Sequence, residues 1–291
     1  MAQHEPAETR EAEQLALELG GDVAFLRATQ GVYYARRVDQ SPVSPVLRLL
    51  RGLYELEPQC ARFIARHRIY STRPASAGCL GATRVAARRL RAAVPAVDHG
   101  LGALGGLPRI DAGSAAPAPR RASPGLEASL AAIVGGGPAV RDELGWLALA
   151  TDLAAELRRR AQTVGPGERW DKPVAALLVD ADGARLGWAT NTGSRNATSH
   201  AEVNLVEGWL HASRCRLPRG GRVYVSLKPC KMCAGLLWDA AQDPYGLRVV
   251  YAEEDPRRYA RETVLDAGSM ARRRVARSGD ELRRVLQRRL S

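Results

Sequence analysis

The spacing of apolar and polar positions divides the chain into helix-like, strand-like and featureless stretches. Residues 9–20 are acidic and helix-prone, and Pro42 and Pro45 interrupt the next stretch. Val46, Leu47, Leu49, Leu50, Leu53 and Leu56 then recur at mixed helical spacing, which predicts a half-buried helix. Cys60–Tyr70 continues with Phe63 and Ile64 set among Arg62, Arg66, His67 and Arg68. Thr83–Ala93 reads as a basic helix, with Val85 and Leu90 on one side and arginines around the rest. From Val97 to Gly125 the pattern dissolves into Gly, Ala, Pro and Ser, a composition that buries too little apolar surface to order itself. The expected division is a mainly helical accessory domain over residues 1–110, a flexible linker over 111–125 and a second domain over 126–291.

Beyond the linker the periods alternate. Leu126–Ile133 predicts a short helix, and Asp142–Thr163 a longer one carrying Leu144, Leu147, Leu153 and Leu157. Pro173–Asp180 is a continuous apolar strand, Asp180–Gly183 a hairpin turn and Arg185–Asn191 the return strand. Ser199 is placed to cap a helix, Arg222–Leu227 is a strand, Pro229–Ala241 a helix and Leu247–Ala252 a fourth strand. Asp255–Arg261 is a candidate helix, and Glu262–Met270 makes a poor strand, so the sequence leaves the path of the C-terminus open. Gly279–Leu290 gathers Leu282, Val285, Leu286 and Leu290 on one helical face.

Charge sharpens this picture. The formal net charge is +12, carried almost entirely by arginine, with lysine only at 172, 228 and 231. An Arg-, Ala-, Gly- and Pro-rich composition is what a GC-rich genome produces whatever the partner, so position matters more than the total. Residues 1–57 sum to −3, 58–97 to +8, 126–270 to zero and 271–291 to +6. The last block contains Arg272, Arg273, Arg274, Arg283, Arg284, Arg288 and Arg289, which are candidates for phosphate contacts. Cys60, Cys79 and Cys215 are scattered and odd in number, so free buried thiols are expected rather than a disulfide framework. No apolar run approaches a membrane span, and the start of the chain has no apolar leader, so a soluble, cytoplasmic protein with no membrane partner is expected.

The chemistry is concentrated between Ser199 and Gly235. His200-Ala201-Glu202 is followed, after 26 residues, by Pro229-Cys230-Lys231-Met232-Cys233. Two cysteines three apart on a first helical turn point the same way, and the helix N-terminus favours their thiolates. His200 adds a third ligand, and three protein ligands leave the fourth position of a zinc ion open, as in a catalytic site. Zinc so held brings the pKa of water towards roughly 7, and Glu202 stands where it could move that water's proton. His-x-Glu before Pro-Cys-x-x-Cys has the ligand set and order of the zinc deaminases.

On this motif and the element order, residues from about 140 to 270 resemble the cytidine deaminase-like superfamily of nucleoside, nucleotide and nucleic-acid deaminases. The stretch 173–191 with His-Ala-Glu and Pro-Cys-x-Met-Cys-Ala-Gly is most similar to the tRNA adenosine deaminases. The layout also resembles a bacterial branch with an extra N-terminal domain. The resemblance implies an α/β fold, a three-layer α/β/α arrangement with a mixed central sheet. It implies zinc ligands His200, Cys230 and Cys233, Glu202 as proton shuttle and Asn191 as a substrate contact. Ala201, Lys228 and Lys231 are further candidate substrate contacts, the two lysines by meeting a phosphate. Where tRNA adenosine deaminases usually have Glu before Pro-Cys, this chain has Lys228, which weakens a specific tRNA-adenosine assignment.

Four functions compete. A deaminase acting on a single-stranded or flipped-out base in DNA or RNA suits two basic blocks flanking a neutral core, with cytosine to uracil placed ahead of adenosine to inosine in tRNA. A deaminase of free cytidine or nucleotides needs neither basic block nor accessory domain. A non-catalytic zinc-containing nucleic-acid-binding module has no use for Glu202.

Overall fold

The computed structural model describes residues 22–38, 41–57, 59–60, 63–64, 67, 69–72, 75–86, 108–115, 124–136, 142–161, 172–192, 196–266 and 271–274. Two sheets organise them. The second, of five strands, is built from β5 (Ala175–Val179), β6 (Arg185–Thr190), β7 (Arg222–Leu227), β8 (Arg248–Glu253) and β9 (Ala271–Arg274) in the order β6-β5-β7-β8-β9. β6, β5 and β7 run antiparallel, and β7, β8 and β9 run parallel. The sheet is mixed, as the resemblance implies, and a parallel fifth strand answers the question the C-terminal sequence left open.

β5 shows why its run is apolar throughout. Ala176 and Leu178 face one core while Ala175, Leu177 and Val179 face another, so both sides of the strand are buried. On one side lie helices α4 (Pro124–Gly135) and α5 (Glu143–Ala161), which bring Leu130, Trp146, Leu147 and Leu153 to the sheet. On the other lie α6 (Ala201–Ser213) and α7 (Lys231–Ala240), with Val203, Val206, Met232 and Leu237 fully buried. These are the three expected layers.

The N-terminal part differs from the reading of helices alone. It has α1 (Pro45–Leu56) and α2 (Ala77–Ala86), but also a four-stranded sheet of β1 (Val23–Ala28), β2 (Gly31–Arg36), β3 (Ile69–Ser71) and β4 (Arg109–Asp111), ordered β3-β1-β2-β4. Three- and six-residue strands are short enough that a buried apolar run does not distinguish strand from helix by period. α1 starts as the sequence suggests: Ser44 accepts a hydrogen bond from the Leu47 N–H at 3.2 Å, and Pro45 follows in the first turn. Of the expected linker, Asp111 ends β4 and Ala112–Ala115 form a short α3, with Ala112 buried. Residues 116–123 lie outside the described residues.

The two parts share one core. Leu47, Leu50, Leu53, Cys79 and Ala82 belong to the same buried cluster as Val203, Val225, Met232 and Leu237. α2 lies directly on α7, backbone against backbone. A Cβ at Gly81 would collide with the Lys231 carbonyl, and one at Gly235 would stand 2.5 Å from the Ala77 carbonyl carbon. Only glycine permits that approach. At the far end of α7, Asp239 accepts from the Ser76 hydroxyl at 2.5 Å and from the Gly78 N–H at 3.1 Å. α1 reaches α6 through a buried ion pair, Arg51 to Glu207 at 2.8 Å. The N-terminal part therefore covers the outer faces of both helices that follow the motif residues.

Candidate metal centre and active site

β6 and β7 end at the same edge of the sheet, and the loops that leave them turn into α6 and α7. The helices begin later than the sequence suggests. His200, rather than Ser199, is the N-cap of α6, and Cys230, rather than a residue before it, is the N-cap of α7. Each cap therefore presents a ligating atom at a helix N-terminus. His200 Nδ1 lies 3.5 Å from Cys230 Sγ and 3.4 Å from Cys233 Sγ, and the two sulfurs are 3.5 Å apart.

These atoms fit a zinc ion. A nitrogen and two sulfurs are the borderline-soft set zinc prefers, and sulfurs of a tetrahedral site stand roughly 3.7 Å apart. They form the one such group among the described residues. The two thiols are driven apart: the hydrogen bond from Cys233 and the field of His200 hold the Cys230 thiol well below its ordinary pKa, while burial and the adjacent Cys230 push the Cys233 thiol well above it. Burial resists charge on His200, yet the Cys230 thiolate keeps the imidazole pKa above its usual value.

Glu202 sits in the first turn of α6 and is buried. Burial, and after it the charge of Cys230, push its carboxyl above the ordinary carboxylate pKa. A carboxyl so raised takes up a proton more readily than an ordinary carboxylate, as a proton shuttle requires.

The remaining candidates are placed variously. Asn191 is buried one residue past β6, and its Oδ1 accepts the Ala201 N–H at 2.6 Å, which ties the end of β6 to the start of α6. Ala201 is fully buried. Lys228, directly before the cysteine helix, is buried and its Nζ lies 2.7 Å from Asp266 and 3.5 Å from Glu254. Lys231 Nζ lies 3.4 Å from Glu262. Both lysines thus carry an acidic partner. Arg272, Arg273 and Arg274 are in β9, paired in register with Val249, Val250 and Tyr251. Arg283, Arg284, Arg288 and Arg289 lie outside the described residues. Cys60 and Cys79 are buried free thiols as expected, whereas Cys215 is exposed. Among the described residues no helix is long and apolar enough to cross a membrane.

Sequence reasoning missed two supports of the site. Asn204, one turn into α6, donates Nδ2 to the Thr190 carbonyl and to Thr192 Oγ1, both at 2.9 Å, fixing the loop that delivers His200. Lys172 lies 3.0 Å from Asp255, and its charge is felt at His200. An asparagine on an apolar helix face was the available signal for the first; the second pair joins residues 83 apart and left none.

A mixed five-stranded sheet whose two flanking helices open on His-x-Glu and Cys-x-x-Cys at one edge is the arrangement that the resemblance to the cytidine deaminase-like superfamily implies. Residues 167–276 match the family described as Bd3614-like deaminase. A tRNA-specific adenosine deaminase of Agrobacterium fabrum is 39% identical over 92 residues, 28% of this chain and 59% of that protein, so less than two thirds of that relative is spanned. A solved structure from work on A-to-I editing by tRNA:A34 deaminases at the wobble position of transfer RNA is 25% identical, covering 48% of this chain and 100% of that one, at a TM-score of 0.36. A guanine deaminase from Bacillus subtilis is 27% identical, covering 39% of this chain and 66% of that one, at a TM-score of 0.32.

Proposed function

We propose that this chain is a zinc-dependent hydrolase that removes the exocyclic amine from a base in nucleic acid. The observation that carries the reading is the convergence of His200, Cys230 and Cys233 within 4.8 Å of one another, with a buried carboxyl, Glu202, on the same helix turn. A purely structural metal clip has no use for that carboxyl. Zinc held by the three side chains supplies an activated water at neutral pH. Glu202 would take one proton from the water and deliver it to the ring nitrogen, then carry the second proton, from the hydroxyl added at the ring carbon, to the exocyclic amine; the carbon–nitrogen bond breaks, the amine leaves as ammonia and the water oxygen becomes the new carbonyl oxygen. Asn191 and Asn204 hold the β6–α6 loop so that His200 and Glu202 keep their places. The base has to be single-stranded or turned out of the stack to reach them.

The A. fabrum relative makes adenine in RNA the first base to offer. Cytosine is offered beside it, since both bases carry an exocyclic amine on a ring carbon open to attack by water. We predict that Glu202→Ala retains metal by elemental analysis and retains the fold, yet loses conversion of adenine or cytosine by at least about a hundredfold. Single-stranded DNA, duplex DNA, tRNA and free cytidine are offered in parallel and converted bases read by mass. Equal conversion by wild type and variant overturns the mechanism, and conversion of free cytidine alone overturns the polymeric substrate.

A further inference from the structure

Of the 43 arginines and lysines in the chain, only Lys172, Lys228 and Lys231 are lysine. All three meet the segment that follows β8. Lys172 pairs with Asp255 at 3.0 Å, Lys228 with Asp266 at 2.7 Å and Lys231 with Glu262 at 3.4 Å. An arginine grips a carboxylate with a rigid fork, whereas a lysine ammonium is a point charge on a flexible stem that can turn its three donors to a new partner. The three pairs differ in how firmly they are closed. Asp255 and Asp266 keep only 10% and 24% of their side chains exposed, and Asp266 also accepts from the Thr263 N–H and hydroxyl. Lys172 and Lys228 are therefore held by acids that are themselves fixed.

Lys231 is held differently. Its side chain is only 14% exposed, yet Glu262, its one ion-pair partner among the described residues, is 89% exposed. A carboxylate so open to water, and farther away than a good charged hydrogen bond allows, stabilises the ammonium little. Glu262 also stands on a left-handed backbone, with φ 51, which a residue other than glycine adopts only at a cost. A mostly buried cation thus has an anion beside it that is weakly held and easily given up.

The position of the pair points to what replaces that anion. Lys231 follows Cys230 directly and opens α7, so it stands between the two candidate metal-binding sulfurs in the chain. A base presented to Glu202 brings an anion with it when it belongs to a nucleotide or a strand, and none when it is a free nucleoside. A phosphodiester replaces a carboxylate charge for charge, and the displaced Glu262 side chain, already in solvent, loses little.

We propose that Lys231 is a phosphate-binding residue at the rim of the metal centre, and that Glu262 is its exchangeable partner, displaced when a phosphodiester of a nucleic-acid strand arrives. The exchange stands on the Lys231–Glu262 pair; the choice of a strand as the source of the phosphate rests on the proposed deaminase function.

The full chain is compared with Lys231→Gln, Glu262→Gln and the double variant, each checked for an unchanged melting midpoint. Should Lys231→Gln disturb the start of α7, Glu262→Gln carries the test, because that side chain lies in solvent. Anisotropy of a labelled thymidine strand of about 16 nucleotides is followed across a salt series. Thymine has no exocyclic amine, so binding is read without conversion. Thymidine and its monophosphate are titrated by calorimetry. We expect Glu262→Gln to tighten strand binding by about three- to fivefold at low salt. Lys231→Gln should weaken it by about tenfold, with the log–log salt slope shallower by about one. Added to Lys231→Gln, Glu262→Gln should change nothing, because the competition it relieves is already gone. Equal tightening in both backgrounds marks a general charge effect and overturns the exchange, as does unchanged strand and monophosphate affinity in the single variants. Monophosphate binding that depends on Glu262, with strand binding that does not, upholds the phosphate site and overturns the strand as its source. Thymidine bound as tightly as its monophosphate overturns phosphate recognition altogether. Because none of these readouts is base conversion, a failure of the deaminase reading is seen separately.

Discussion

Asp266 shows how a single side chain outside the motif shapes the site. Lys228 is 8% exposed and pairs with it at 2.7 Å, and the Thr263 N–H and hydroxyl also donate to it. Burial alone raises the Asp266 pKa, but the hydrogen bond from Lys228 and those from Thr263 hold the carboxyl down at about 2. A carboxyl depressed on folding contributes stability above its unfolded pKa and loses it as the pH falls through the folded one. We therefore predict that Asp266→Asn costs on the order of 2 kcal/mol between pH 5 and 7, measured by urea unfolding. The gap to wild type should narrow as the pH drops from about 4 towards 2; a gap independent of pH refutes the assignment. At this scale the sequence was informative where order and spacing encode chemistry. The cluster of His200, Cys230 and Cys233 was legible because residues able to hold a metal together are set by type and spacing in the sequence. The pairing of Lys228 with Asp266 was not legible, because the two are 38 residues apart and the turn that carries Asp266 has no motif.

Between elements, the contact of α2 with α7 governs how a substitution acts. In an exposed helix Gly→Ala gains about 1 kcal/mol from backbone entropy. Gly81→Ala is predicted to do the opposite, destabilising by about 1–3 kcal/mol, because the new methyl meets the Lys231 carbonyl. Since Lys231 adjoins Cys230, the same variant should weaken metal retention against a competing chelator. Neutral or increased stability in thermal unfolding contradicts the backbone-to-backbone packing of these two helices. Most elements of the C-terminal part were readable, since β5 and β7 are apolar runs bounded by turns and α5 repeats leucines at helical spacing. The N-terminal sheet was not. Its strands Val23–Ala28 and Ile69–Ser71 are stabilised by partners 49 residues apart in the chain, for example the Val23 N–H donating to Thr72 Oγ1 at 3.0 Å, and local period does not record such pairing.

Over the whole molecule the sequence suggested beads joined by a linker, whereas one core runs through both parts. Arg51 is fully buried, and its partner Glu207 lies on the helix that carries Glu202. Burial pushes Glu207 up, and Arg51 opposes that shift without cancelling it. Arg51→Met should cost about 3 kcal/mol or more, since it leaves a carboxyl buried beside an apolar group, while adding Glu207→Leu should restore most of the loss. A double-mutant cycle by denaturant unfolding reads the coupling, and additive effects would show that the pair does not join the two parts. The contact between Ser76 and Asp239 spans 163 residues, and this has a consequence for the nascent chain. At translation speeds of about 5–20 residues per second, the α2 surface waits on the order of 10–30 s after leaving the ribosome before α7 exists to cover it. During that interval the beginning of the protein depends on whatever shields it in the cell. Slow codons between residues 87 and 230 would lengthen that exposure and lower the yield of folded protein without altering a single amino acid.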